Sequence, residues 1–438
     1  MDSDGIGRHV LPGNPVVGGG GQFPMRGTEL PPGKDLERYA AQRARLAGSS
    51  LLANGHTYLA PLDELRERFD AEGRRFVSFA NYDYLGLADD PRVKQAACEA
   101  IMSIGVGASA SRLVGGERRI HGEMERDMAR FLGVEDTLAM VSGYMANLSL
   151  VGHLMTKRDL ILVDELSHNS IMVGTEISRA EIVEFAHNSL AALDRILAER
   201  RHEFERVLVI VEGLYSMDGD IPHLPGLLEL RQKHHFWLAI DEAHSIGVLG
   251  PTGAGLTEYF GVDPNEIDFI IGTLSKSFVS AGGFIAGRKV VLDWLRYTLP
   301  GFVYSVGLPP MIAATVRTCL DIIHDEPWRL KKLHENSQHF VATARRHGLD
   351  VGDAAGAGVV PVLFDDLQHC MQVSYMLLEA GYYAPPIVQV GVPRDKPRIR
   401  CFISAAHTSD QIEGMLACLA EIARLNVDSG LYDRVRAG

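Results

Sequence analysis

Residues 268–278 read DFIIGTLSKSF, an apolar run that ends in a lysine flanked by hydroxyls. Phe269, Ile270 and Ile271 have the composition of a fully buried strand, and polar residues begin where such a strand stops. Lys276 therefore falls at the edge of a core, ringed by Thr273, Ser275 and Ser277. An arbitrary loop lysine is a solvated surface group. Beside an apolar strand, desolvation favours the neutral amine, and a neutral amine can form a Schiff base with a carbonyl.

The same signature recurs on both sides of this stretch. TLAMVSG (137–143), DLILVDE (159–165), RVLVIVEG (206–213), FWLAIDEAH (236–244) and GGFIAG (282–287) are short apolar runs, most ending in small, polar or charged residues. Helix-like segments such as 189–204, SLAALDRILAERRHEF, lie between several of them. That alternation predicts an α/β fold with buried parallel strands and helical crossovers. Ligands of such sheets sit outside the strands' carboxyl ends, where these polar residues fall. From Trp328 onward helix-like stretches mix with short strands, GVVPVLF (358–364) and RIRCFIS (398–404). The expected organisation is a Gly/Pro-rich flexible arm over 1–34, a helix and linking segment over 35–78, a large domain over 79–327 and a small α+β domain over 328–438. Within the second segment, Asp35 caps a helix that runs to Leu46.

Bulk properties narrow the function classes. The chain has 438 residues, 46% hydrophobic and 23% charged, with a formal net charge of −13. That balance argues against nucleic acid or an anionic membrane as the main partner, since both need a basic footprint. Five scattered cysteines without a C-x-x-C pair fit a reducing cytoplasm better than disulfides or a zinc site, and no metal is expected. No apolar run is long enough for an ordinary membrane span, and no signal-peptide pattern opens the chain.

Three strand ends carry chemistry. Asp241 follows LAI directly, with His244 three residues on. As a structural residue Asp241 is a turn acid or helix cap; as a functional one it keeps a cationic partner charged. The same Asp-Glu-Ala-His matches a helicase motif, but no G-x-x-x-x-G-K-[ST] precedes it to cradle phosphates. His168, in LSHNS, follows a second strand. A lone histidine is usually just a satisfied group, but its coincidence with Asp241 and Lys276 favours a site. In VSGYMAN (141–147), Ser142, Gly143 and Tyr144 open a helix whose free N–H groups suit a phosphate. A phosphate cradle, an acid for a ring nitrogen and an imine-forming lysine together describe a pyridoxal phosphate site. On that reading Thr273 and Ser275 hold the phosphate and position Lys276.

The chain resembles the α-oxoamine synthases, a branch of fold-type-I pyridoxal phosphate enzymes, with nearest likeness to bacterial serine palmitoyltransferases. The resemblance runs from FANYDYLGL (79–87) through SRLVGGERRIHGEMER (111–126), SGYMANLSLV (142–151), AEIVEFAHNS (180–189) and EGLYSMDGDI (212–221). It continues through DEAHSIGVLGPTGAG (241–255) and GTLSKS (272–277) to RIRCFISAAHT (398–408). It implies a large domain with a mostly parallel mixed sheet, and a homodimer with the site at the subunit boundary.

The resemblance also implies residue roles. Lys276 holds the cofactor and moves the substrate's α-proton, Asp241 pairs with the ring nitrogen, and His168 stacks on the ring. His244 and Ser216 hydrogen-bond the phenolic oxygen, while Gly143, Tyr144, Thr273 and Ser275 hold the phosphate. Arg400 grips the amino acid carboxylate and Asn81 lies near the substrate. Where relatives have two or three hydroxyl residues before Leu308, this chain keeps Ser305 to reach the neighbouring subunit's phosphate. After the lysine, Val279 and Ser280 stand where many members have glycines.

The implied reaction joins an amino acid to an acyl thioester, of coenzyme A or an acyl carrier protein, with loss of carbon dioxide. Arg112, Arg118 and Arg119 form a candidate basic patch for phosphates or an acidic carrier. Alternatives are another pyridoxal phosphate reaction on the same site, of the aminotransferase or 2-amino-3-ketobutyrate ligase type, and a non-catalytic subunit, against which Lys276 stands.

Overall fold

The computed structural model describes residues 67–69, 75–387 and 396–425. The arm over 1–34 and the helix expected over 35–46 lie outside the described residues. Strands are numbered in chain order: β1 (Glu67–Phe69), β2 (Arg75–Ser78), β3 (Asp136–Met140), β4 (Leu160–Asp164) and β5 (Glu181–Phe185). There follow β6 (Val207–Glu212), β7 (Trp237–Asp241), β8 (Phe269–Thr273), β9 (Gly283–Gly287) and β10 (Val359–Leu363). The last are β11 (Tyr382–Tyr383), β12 (Pro386–Ile387) and β13 (Arg398–Phe402).

Seven strands form one sheet in the order β3-β9-β8-β7-β6-β4-β5. Neighbours from β8 to β5 pair in parallel, whereas β9 runs antiparallel to both β3 and β8. Every apolar run read from the sequence between residues 137 and 287 is a strand of this sheet. Only the direction of GGFIAG differs from a purely parallel reading. The link over 274–282 is shorter than the dozen or so residues that a parallel crossover requires, so β9 must turn back. The sequence reading passed over β5, because Glu181 is exposed and Glu184 half-buried on this edge strand.

Alternation along each strand builds a core on both faces. Leu160, Leu162, Val207, Val209, Leu238 and Ile240 join one apolar cluster. Their neighbours Ile161, Val163, Leu208, Ile210 and Ala239 join the other. Successive side chains of a strand point to opposite faces, so a sheet covered on both sides needs continuous apolar runs. The helices that cover it begin with side-chain caps. Ser142 accepts from Met145 N–H at the start of Gly143–Leu154, and Ser189 from Ala192 N–H at the start of Leu190–Arg200.

Toward the C-terminus, β10, β13 and β12 form a second, antiparallel sheet with β13 in the middle. The helices Trp328–Arg346 and Ser409–Ala423 contribute Phe340, Leu416 and Leu419 to the first apolar cluster, which extends from Phe79 to Ile422. Among the described residues no helix is long and apolar enough to cross a membrane.

Candidate active site

The carboxyl ends of the central strands open into a cleft of about 170 Å³ lined by Gly143, Tyr144, Asn147, His168, Ser170, Glu212, Asp241, His244, Thr273, Ser275 and Lys276. Register explains the convergence: Glu212, the last residue of β6, sits opposite Asp241, the last of β7. Asp241 is 4% exposed. Its Oδ2 accepts from Asn147 Nδ2 at 2.6 Å and its Oδ1 from Ala243 N–H at 2.9 Å. Asn147, one helical turn beyond Gly143, also donates to Ser170 Oγ at 3.0 Å. Its own Oδ1 is buried without a hydrogen-bond partner among the described residues.

Lys276 lies among these groups, half-buried, and its ammonium has no hydrogen bond or ion pair to a described residue. Burial is the largest influence on its ammonium and lowers it to about 8, although Asp241 and Glu212 pull the other way. The Tyr82 ring stands 5.8 Å from Nζ. Glu212 is pushed up to about 8, first by burial and then by Asp241. Its Oε1 accepts from His168 N–H at 2.6 Å, which fixes the entrance to the helix Asn169–Ser178. His168 Nδ1 accepts from Ser170 N–H at 3.2 Å and burial lowers its basicity.

At the other end of the cleft the hydroxyls of Thr273 and Ser275 lie 2.7 Å apart, beside the start of the helix Gly143–Leu154. A Cβ at Gly143 would come within 2.8 Å of Thr273 Cβ, so the close approach of helix and strand requires glycine. Ser277 is not part of this group: its hydroxyl donates to Ile246 O at 2.7 Å inside the core. The turn after Lys276 carries Val279 at φ 43°, with its N–H on Lys276 O at 2.8 Å. The left-handed region is rare for a β-branched side chain and costs about 1–3 kcal/mol. It is a conformation that glycine takes without strain.

The remaining expected residues are dispersed. Ser216 is buried, with its N–H on Glu212 and its carbonyl accepting from Arg400 Nη1 at 3.2 Å. Arg400 projects from β13, its guanidinium 4.6 Å from the Phe402 ring, hydrogen-bonded also to Tyr82, and its buried Nε has no partner among the described residues. Asn81 is half-buried and does not line the cleft; neither does Ser305, which borders a small gap with Arg112 and His121.

The basic patch expected from Arg112, Arg118 and Arg119 does not form. The Arg112 side chain is buried against Glu125 and paired also with the exposed Glu117, and Arg118 donates to the carbonyls of Ala108, Gly115 and Glu117. Arg119 reaches furthest into solvent, beside Glu123. Sequence reasoning missed Glu212, Asn147 and Ser170. Glu212 ends an apolar run just as Asp241 does, and the same rule applied to RVLVIVE would have found it.

The aminotransferase class I and II family profile matches residues 74–419. An 8-amino-7-oxononanoate synthase of Symbiobacterium thermophilum is 37% identical over 368 residues, covering 83% of this chain and 93% of that protein. The corresponding enzyme of Treponema denticola is 36% identical over 341 residues, 78% of this chain and 86% of that one. Among solved structures, the serine palmitoyltransferase of Sphingomonas wittichii superposes with a TM-score of 0.83 at 30% identity, covering 90% of this chain and 98% of that one. With its cleft at the carboxyl ends of a mostly parallel sheet, this chain belongs to the aminotransferase class I and II family and, within it, to the α-oxoamine synthases, pyridoxal phosphate enzymes that condense an amino acid with an acyl thioester.

Proposed function

We propose that Lys276, Asp241, His168 and Arg400 carry out that condensation here: an α-amino acid and an acyl thioester give an α-amino ketone, carbon dioxide and the free thiol. The observation that carries the reading is the pairing of a lysine that burial lowers to about 8, in one cleft with the buried carboxylates of Asp241 and Glu212, with an arginine whose buried Nε has no partner among the described residues. In this division of labour residues 79–327 hold the cofactor and residues 328–438 supply Arg400.

The residues present fit pyridoxal phosphate. The helix that opens at Gly143 starts in the lining of the cleft, where the first N–H groups of a helix have no intrahelical partner, and a side chain at Gly143 would collide with Thr273. Gly143 and Tyr144 N–H, with the Thr273 and Ser275 hydroxyls, would hold the phosphate, while Ser142 fixes the helix start. Asp241, held by Asn147 and Ala243, would keep the ring nitrogen protonated. His168 would lie over the ring face, with His244 and Ser216 toward the phenolic oxygen. When bound, the cofactor supplies a carbonyl carbon for an amine and a ring that takes up the electron pair released at the α-carbon.

The chain's own groups do the rest. Arg400 offers Nε to the substrate carboxylate in a charge-assisted hydrogen bond and so orients the α-carbon. Lys276 Nζ, neutral once displaced by the substrate amine, takes the α-proton and later returns a proton to the product. Asn81 and Tyr82 border the substrate.

Exposed apolar residues support a homodimer. Val114 is 84% and Tyr304 86% exposed, on segments joined by the Ser111–Val306 bridge, next to Ser305. A second copy covering this face would bring Ser305 toward its partner's phosphate. Three buried free thiols, Cys319, Cys370 and Cys401, suit a reducing cytoplasm.

The test supplies candidate amino acids and then acyl thioesters, of coenzyme A and of carrier protein, and follows visible absorption, thiol release and carbon dioxide. One thiol and one carbon dioxide per amino ketone is the expected result. Amino-group transfer without thiol release would replace this reading with an aminotransferase.

A further inference from the structure

Tyr84 is wholly buried, and its hydroxyl lies 2.7 Å from Nδ1 of His244. Its position is fixed from several sides. Its N–H donates to Tyr82 O at 2.8 Å, and its carbonyl accepts from Ala405 N–H at 2.7 Å. Gly358, at φ +86°, leaves the slot for the ring, since a Cβ there would come within 3.2 Å of Tyr84 Cδ1. His244 is equally constrained, nearly parallel to Phe402 at 6.0 Å and edge-on to Tyr82 at 5.9 Å.

Only one arrangement of protons satisfies this pair. Burial raises the Tyr84 phenol well above its usual range, so the hydroxyl keeps its proton. His244 is driven well below its usual range by burial first, then by the charges of Lys276 and Arg400 and by His168, so it is neutral. A neutral imidazole has one N–H. If Nδ1 carried it, the Tyr84 O–H would be left without an acceptor among the described residues, at a cost of about 1–3 kcal/mol. The hydroxyl therefore donates to Nδ1, and the single N–H of His244 stays on Nε2, on a residue that lines the cleft.

We infer that Tyr84 is a positioning residue that locks His244 in its Nε2–H tautomer, making His244 a permanent hydrogen-bond donor toward the cofactor's phenolic oxygen. The tautomer assignment rests on the pair alone, while its use rests on the proposed function. Replacing the hydroxyl frees Nδ1 to take the proton, which turns Nε2 into an acceptor facing an oxygen that needs a donor.

Nitrogen-15 NMR of histidine-labelled apoprotein tests the tautomer directly, with His244 assigned by its absence in His244→Asn. In the unsubstituted protein Nε2 should be protonated, Nδ1 bare and the pattern constant from pH 6 to 9. In Tyr84→Phe, which keeps the ring volume, signal should move toward the Nδ1–H form. In the holoenzyme the same variant should retain cofactor but shift the pH at which the visible band changes. Its kcat should fall about ten- to a hundredfold, as when an imidazole loses the group that orients it, while KM for the amino acid holds. Protonated Nδ1 in the unsubstituted protein would overturn the inference, as would a Tyr84→Phe variant that loses thermal stability but leaves tautomer and band unchanged. A locked tautomer in a protein that makes no amino ketone would leave Tyr84's role intact and remove the proposed reaction instead.

Discussion

Two imidazoles in the same half of the molecule are treated in opposite ways. His187, just beyond β5, sits between Asp164 Oδ1 at 2.8 Å and Asp220 Oδ2 at 2.7 Å. Burial alone would make it less basic, but the two carboxylates outweigh burial and raise it to about 10. His244, beyond β7, meets a phenol, two cations and an apolar ring, and is held neutral. The charged histidine ties the end of β4 to the loops after β5 and β6. The neutral one faces the cleft. Charge is used where loops must be anchored and withheld where a donor must keep one fixed protonation state.

Lys276 tests the reactive side of this contrast with the largest effect. Lys276→Ala should lower turnover by about 10²–10⁴, the usual range for removing an acid–base group, while some cofactor stays bound through the phosphate cradle. Substantial turnover in that variant would reassign the proton transfer. The pH dependence has a defined sign. Below about 8 the amine is mostly ammonium and cannot attack the carbonyl. Cofactor capture by apoprotein, followed by stopped flow, should therefore speed up as pH rises through about 8 and then level off. A rate independent of pH between 6 and 9 would mean that burial does not depress this lysine.

His187→Gln tests the anchoring side. It leaves two carboxylates facing each other with no cation between them, and breaking such a buried arrangement costs about 3 kcal/mol. The folded-state value, about 10, lies above the usual one near 6.5. The histidine's contribution is therefore whole below pH 6.5 and is lost as pH rises toward 10. Denaturant titrations at pH 6 and pH 9.5 should show the gap between the two proteins narrowing at the higher pH. A gap that widens would place the proton elsewhere in the cluster.

Much of this was legible in the sequence, for a physical reason. Parallel strands covered on both faces must be apolar throughout, so the residue that ends such a run stands out, as Asp241 and Lys276 do. His168 was found through the same rule. Direction and partner choice were harder to read. Nothing in SKS says that Ser277 turns into the core while Ser275 does not, because a turn with Val279 at positive φ decides it. Arg112 looks like part of a basic patch until the fold brings Glu125 against it from thirteen residues away. Tyr84 and His244 are 160 residues apart, and only the fold makes them a pair.

Arg400 sharpens the comparison most finely, because it contributes both a shape and a charge. Its charge helps to keep His244 and Lys276 less basic. Its fork, with Nη1 on Ser216 O and Nε without a partner among the described residues, is the part that would grip a carboxylate. Two substitutions separate these contributions. Arg400→Gln removes both, so KM for the amino acid should rise about ten- to a hundredfold, as expected for one charge-assisted hydrogen bond. The pH of cofactor capture should also move upward, because one neighbouring cation no longer opposes the ammonium of Lys276. Arg400→Lys keeps the charge and loses the planar fork. KM should rise nearly as far, while the pH of capture stays where it was. If the lysine variant restored KM, the carboxylate would be held by charge alone. If neither variant changed KM, the carboxylate would be bound by another group and Arg400 would act only through its field on the two neighbouring bases.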